Sequence, residues 1–107
     1  MTRKDKIYGL IGLATRARKI AYGNDAVMDC LKQKKAKLVV ITEDASEKTR
    51  KNMQYVCQKN NVKIIIFGKK DKLSHIIGKD NKVVIALKEK NIADEIEKRF
   101  YGGDAIE

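Results

Sequence analysis

The sequence predicts an α/β protein, a three-layer α/β/α sandwich around a small sheet, and three observations carry that prediction. Leu38-Val39-Val40-Ile41, Ile64-Ile65-Ile66-Phe67 and Val83-Val84-Ile85-Ala86-Leu87 are unbroken apolar runs of strand length. Runs without polar alternation belong to strands buried on both faces. Segments with helical apolar spacing alternate with these runs, so helices must cover both sides of the sheet.

The elements follow in chain order. Ile7, Leu10, Ile11 and Ala14 keep the i, i+3, i+4, i+7 spacing of an amphipathic helix over residues 4–19. A short extended piece, Ile20-Ala21-Tyr22, meets Gly23, and Asn24 is a candidate N-cap for a helix that buries Val27, Cys30 and Leu31. After the first strand run, Thr49, Met53, Val56 and Cys57 form a third helical stripe, with Asp44 and Ser46 as candidate caps. Leu73, Ile76 and Ile77 mark a short fourth helix closed by Gly78, and Ile92, Ile96 and Phe100 a last one capped by Asn91. Connections are short and no Pro-rich or Ser-rich linker divides the chain. One domain over residues 1–101 is expected, followed by a frayed tail, Gly102-Gly103-Asp104-Ala105-Ile106-Glu107.

Charge speaks to partners. The chain of 107 residues has 24 Lys and Arg against 14 Asp and Glu, a net +10. Residues 1–82 hold 20 basic and 8 acidic side chains, whereas residues 83–107 hold 4 and 6. A surface that is basic only for solubility needs no such asymmetry; a face that meets a polyanion does.

Several function classes lack their residues. No apolar stretch approaches the ~18–20 residues of a membrane span, and the N-terminus shows no signal-peptide core. Cys30 and Cys57 lie in apolar segments and read as buried free thiols in a reducing cytosol. His75 is the single histidine and no close Cys pair exists, so a zinc site lacks ligands; lying within an apolar helical stretch, His75 reads as a solvated or capping residue rather than as the base of a nucleophile. No Gly-rich phosphate loop follows a strand. Neither a catalytic residue, a metal nor a cofactor is expected. Gly9-Leu10-Ile11-Gly12 has the G-x-x-G form of a KH-domain phosphate clamp, but Leu10 and Ile11 belong to a helical stripe, and the glycines read better as helix-packing positions.

The informative stretch is Arg16-Ala17-Arg18-Lys19-Ile20-Ala21-Tyr22-Gly23-Asn24-Asp25. Three cations end one helix and Gly-Asn-Asp opens the next. A helix start offers free backbone N–H groups to a phosphate, and Gly23 has no side chain to hold a nucleic-acid backbone away. Asn24 can read a base edge, and the Asp25 carboxylate can accept from a guanine's N–H groups. Equally, Asn24 can cap the helix and Asp25 can answer its dipole. Composition alone leaves both readings open.

These strings, GLATRARKIAYGNDAV and then KAKLVVITEDAS, resemble the YlxQ-type bacterial members of the L-seven-Ae/L-thirty-e ribosomal protein family, and the likeness runs on to IGKDNKVVIAL. The resemblance implies an L-thirty-e-like four-stranded mixed sheet with Ile20-Ala21-Tyr22 as its first strand. It implies kink-turn RNA binding, with Gly23, Asn24 and Asp25 matching the region where the family's RNA-reading helix begins. Thr42, Glu43 and Asp44 match the loop after the central strand, and Lys79-Asp80-Asn81-Lys82 the loop that faces the same RNA. The family's Lys four residues after the Asn is here Met28, which lies off the apolar stripe, and Lys32 follows one turn later. The loop over residues 78–83 is short and polar where kink-turn binders often place apolar side chains.

The resulting expectation is a cytoplasmic, monomeric, non-catalytic protein that binds structured RNA, a kink-turn or similar internal loop, in association with the ribosome. Arg16, Arg18, Lys19 and Lys32 would contact phosphates while Asn24 and Asp25 read bases. The alternative is a ribosome-assembly or protein-interaction factor that docks through its acidic last helix.

Overall fold

The computed structural model describes residues 1–102, so residues 103–107 of the expected frayed tail lie outside the described residues. The chain alternates helices and strands: α1 (Arg3–Arg16), β1 (Ile20–Tyr22), α2 (Asn24–Lys32), β2 (Leu38–Ile41), α3 (Glu47–Lys59), β3 (Ile64–Ile66), α4 (Lys70–Ile77), β4 (Val84–Leu87) and α5 (Lys90–Phe100). The strands form one mixed sheet in the order β1-β4-β2-β3. β4 runs antiparallel to both β1 and β2, while β2 and β3 are parallel.

The two central strands explain the layers. β2 and β4 are buried along their whole length, and successive side chains point to opposite faces. Leu38 and Val40 of β2, with Ile85 and Leu87 of β4, join Ile7, Ile11, Leu73, Ile77 and Ile96 under α1, α4 and α5. Val39, Ile41, Val84 and Ala86 face the other way, onto Val27, Leu31, Met53 and Cys57 of α2 and α3. Fully burying such a side chain stabilises by about 1.5–3 kcal/mol, so a sheet sandwiched on both faces is the arrangement these runs require. The run over residues 64–67 behaves differently. β3 is an edge strand, and Ile66 is 36% exposed, because nothing pairs beyond it in the sheet.

Helix ends show where local sequence misleads. The first helix stops at Arg16 rather than 19: Arg18 adopts a left-handed φ of 58°, and the N–H of Lys19 turns back to the carbonyl of Ala14. Gly23, not Asn24, is the N-cap of α2, and Asn24 is its first helical residue. Ser46 caps α3 by accepting from the Thr49 N–H at 3.1 Å. Asn91 lies inside α5, whose cap is Glu89, accepting from the Ile92 N–H at 2.7 Å. Gly78 closes α4 in the left-handed conformation, as its position predicts.

The remaining sequence expectations sort by burial. Cys30 and Cys57 are free and buried, and burial pushes the Cys57 thiol up to about 11. His75 is exposed on α4. Gly9 and Gly12 both lie within α1. A Cβ at Gly12 would meet Ile76 of α4 at 3.7 Å, an ordinary van der Waals contact, and one at Gly9 would face open space, so helix packing requires neither glycine.

Candidate functional site

The sheet topology gathers one set of loops at one end. β4 enters the sheet where β1 and β2 leave it, because it is antiparallel to both. Two hydrogen bonds close this end: the Gly23 N–H donates to the Val84 carbonyl and the Thr42 N–H to the Val83 carbonyl, each at 2.9 Å. The exit of β3 joins through a Glu43 N–H bond to the Gly68 carbonyl at 2.8 Å. Residues 22–25, 42–44 and 79–83 thus form a single pole of the molecule.

At its centre is the start of α2. Gly23 has φ 93° and ψ 159°, a conformation open essentially to glycine alone, and it offers no side chain to cap the helix. The first helical bond of α2 is donated by Val27 to the Gly23 carbonyl, which leaves the N–H groups of Asn24, Asp25 and Ala26 without an intrahelical acceptor. Asn24 and Asp25 are exposed. Lys82 lies over this corner: a Cβ on Gly23 would come within 3.3 Å of its Nζ. Beside it the Lys79 ammonium sits 5.1 Å from the ring centre of Tyr22. Two cations and an uncapped helix start therefore converge on one anion-attracting corner.

The loop that carries these lysines is pinned from below. Ser74 of α4 accepts from the Lys82 N–H at 3.0 Å and donates to the Lys82 carbonyl at 3.3 Å. Asn81 takes a left-handed φ of 54°, and Asp80 is exposed at the loop tip. Sequence reasoning missed both Ser74 and Tyr22. A polar residue between two members of an apolar stripe, Leu73 and Ile76, was the one available sign of Ser74.

The loop after β2 has a different character from the one expected. Thr42 is buried, with 1% of its surface exposed. Glu43 pairs with Lys69 at 3.3 Å. Asp44 does not cap α3; its carboxylate accepts from the Lys70 N–H at 3.0 Å and so caps α4, whose own N-cap Lys69 makes no side-chain bond. Burial pushes the Asp44 carboxyl up, but hydrogen bonding, including that from Lys70, outweighs it and leaves the group below the usual carboxylate range. These acids fasten the pole to α4.

The expected cations separate into groups. Arg16 folds back along α1, its guanidinium beside Gly12. Met28 packs partly against the α2–α3 core and, with Lys32, Val56, Lys59 and Asn60, lines a groove between those helices. Lys32, eight residues beyond Asn24 on one helix, lies about 12 Å further along its axis. Arg18 and Lys19 precede β1, so the strand carries them roughly 13 Å from Gly23 at ~3.3 Å per residue. They line a cleft at the opposite pole with Lys34, Lys35, Lys37 and Lys88.

This architecture, a mixed sheet between two helical layers with a glycine-opened helix under a basic loop, defines a class of small basic α/β/α proteins. The chain belongs to the ribosomal protein L7Ae/L30e/S12e/Gadd45 family, whose sequence model matches residues 5–97. It is 36% identical to the RNA-binding protein YlxQ of Bacillus subtilis (strain 168), over 83% of this chain and 89% of that protein. It is 32% identical to the RNA-binding protein YlxQ of Enterococcus faecium, over 75% and 78% of the two chains. Among solved structures it resembles a Bacillus halodurans protein of unknown function, with a TM-score of 0.86, 27% identity and coverage of 90% and 97%. A 15.5 kD RNA binding protein of Giardia lamblia shares the fold, with a TM-score of 0.77 at 19% identity over 88% and 83% of the chains.

Proposed function

We propose that this chain binds structured RNA, a kink-turn or similar internal loop, without catalysing a reaction, as a ribosome-associated cytoplasmic monomer. The observation that carries the reading is the corner at Gly23, where the uncapped start of α2 lies beneath Lys82 and beside Lys79. Backbone N–H groups and two ammonium groups suit a phosphate, and the exposed Asn24 and Asp25 project from the same turn to read a base edge. The names of the Bacillus and Enterococcus relatives support RNA as the partner. No helix among the described residues is long and apolar enough to cross a membrane.

Docking of a protein through the acidic last helix finds less support. The carboxylates of α5 are engaged at home: Asp94 with Lys90, Glu95 with Arg99 and Glu97 with Lys63. The test is binding of a kink-turn hairpin and of an unstructured RNA of equal length. Asn24→Ala or Asp25→Ala should cost roughly 1–3 kcal/mol on the hairpin and little on the unstructured RNA. Equal losses on both would remove the base-reading role.

A further inference from the structure

The pole opposite Gly23 carries a concentration of charge that base reading at Gly23 does not use. Arg18, Lys19, Lys34, Lys35, Lys37 and Lys88 line one cleft, contributed by the turn before β1, the turn after α2 and the end of β4. Two backbone bonds hold these segments together: Lys37 N–H to the Leu87 carbonyl at 2.7 Å, and Lys88 N–H to the Lys19 carbonyl at 2.8 Å. None of the six has an ion-pair partner among the described residues, although carboxylates elsewhere pair with Arg50, Lys63, Lys69, Lys90 and Arg99. Asp29, the acid at this end of α2, is held by the Gln33 amide at 2.9 Å.

Helix dipoles account for part of this placement, since α1 and α2 both end here and cations suit helix C-termini. They do not account for six. Like charges gathered within a Debye length of about 10 Å repel one another unless something anionic sits among them. Backbone conformation adds an independent sign. Arg18 at φ 58° and Lys34 at φ 60° both occupy left-handed positions just past a helix end, where glycine is the easy choice and a side chain costs about 1–2 kcal/mol. The fold keeps cations at two positions that its backbone would give to glycine.

We infer that this cleft is a second phosphate-backbone site, through which the protein grips a further segment of RNA at the pole opposite Gly23. The inference rests on the proposal that the chain binds RNA, though not on which bases the other pole reads. The cations span the ends of three adjacent strands, about 10 Å across, and a nucleic-acid strand presents a phosphate every ~3.4 Å of axis over such a width. A membrane surface would call for apolar side chains beside the charge, and the exposed large apolar residues Met1, Leu13, Tyr55, Ile66 and Tyr101 are not part of the cleft.

The test compares wild type, Lys35→Gln/Lys37→Gln/Lys88→Gln and Lys79→Gln/Lys82→Gln by fluorescence anisotropy against a kink-turn hairpin and an uninterrupted duplex across a KCl series. The cleft variant should lower the slope of log affinity against log salt by about 2–3 on both RNAs, leave the preference for the hairpin unchanged, and regain the slope when the three residues are Arg. The loop variant should lower the slope on the hairpin alone, and so reduce that preference. A wild-type slope in a folded cleft variant overturns the inference and leaves RNA binding at the Gly23 pole standing. Absence of salt-dependent binding by the wild type overturns both.

Discussion

Lys82 lies across Gly23, its ammonium where a Cβ at position 23 would come within 3.3 Å, while Gly23 itself holds φ 93° and ψ 159°. Gly23→Ala should therefore lose about 1–3 kcal/mol of stability, most of it from backbone strain. The end of a lysine can move aside, so the loss should persist when Lys82→Ala is added. Denaturant unfolding of the single and double variants checks this. Full recovery in the double variant would place the cost in the Lys82 side chain rather than the backbone.

Ser74 is bonded to both backbone polar groups of Lys82. Ser74→Ala leaves a partly buried N–H and carbonyl without these partners, a cost of roughly 1–3 kcal/mol. The larger consequence should be local: faster amide exchange at Lys82 than in wild type, and weaker hairpin binding with α4 still helical. Unchanged exchange at Lys82 would show that the loop holds its shape by other means.

Asp44 caps α4 from 26 residues away, and its carboxyl is held below its ordinary range. A carboxyl with a lowered native pKa binds fewer protons folded than unfolded. Its contribution is thus complete above the unfolded value of about 3.9 and fades as pH falls through the native one. Asp44→Ala should lower the denaturation midpoint at neutral pH, and the gap to wild type should narrow steadily below about pH 4. A constant gap over that range would mean that the charge plays no part in the cap.

The buried sheet is legible in the sequence because its signal is local. β2 and β4 each carry four consecutive apolar residues, and only a strand covered on both faces uses them all. The caps are less legible: Asn24 and Asn91 have capping chemistry, but Gly23 and Glu89 have the backbone conformation, and conformation decides. Asp44 has the place of a cap for the helix that follows it and serves another, reached through the pairing of β2 with β3. The division of the cations is least visible. Lys19 and Gly23 stand four residues apart and read as one cluster, yet an extended β1 sends them to opposite ends of the sheet. Lys34, Lys35, Lys37 and Lys88 meet Arg18 and Lys19 only after β1, β4 and β2 align. Along the linear chain they amount only to surplus charge.

The left-handed cations at the second pole permit a test in which stability and binding move in opposite directions. Arg18→Gly and Lys34→Gly each remove a side chain from a backbone at φ near 60°. Relief of the left-handed cost, about 1–2 kcal/mol, is partly offset by glycine's greater freedom in the unfolded chain, about 0.5–1 kcal/mol. Each variant should be more stable by roughly 0.5–1 kcal/mol, and the pair should depart from strict additivity, because both residues line one cleft. The same variants should bind duplex RNA with a salt slope lower by about 0.7–0.9 for each phosphate that goes unneutralised. Calorimetric unfolding and salt titration on one preparation decide the matter. A gain in stability with an unchanged slope would mean that the cations at these turns answer helix dipoles alone; a gain with a reduced slope is the trade expected where a binding surface is kept against the preference of its backbone.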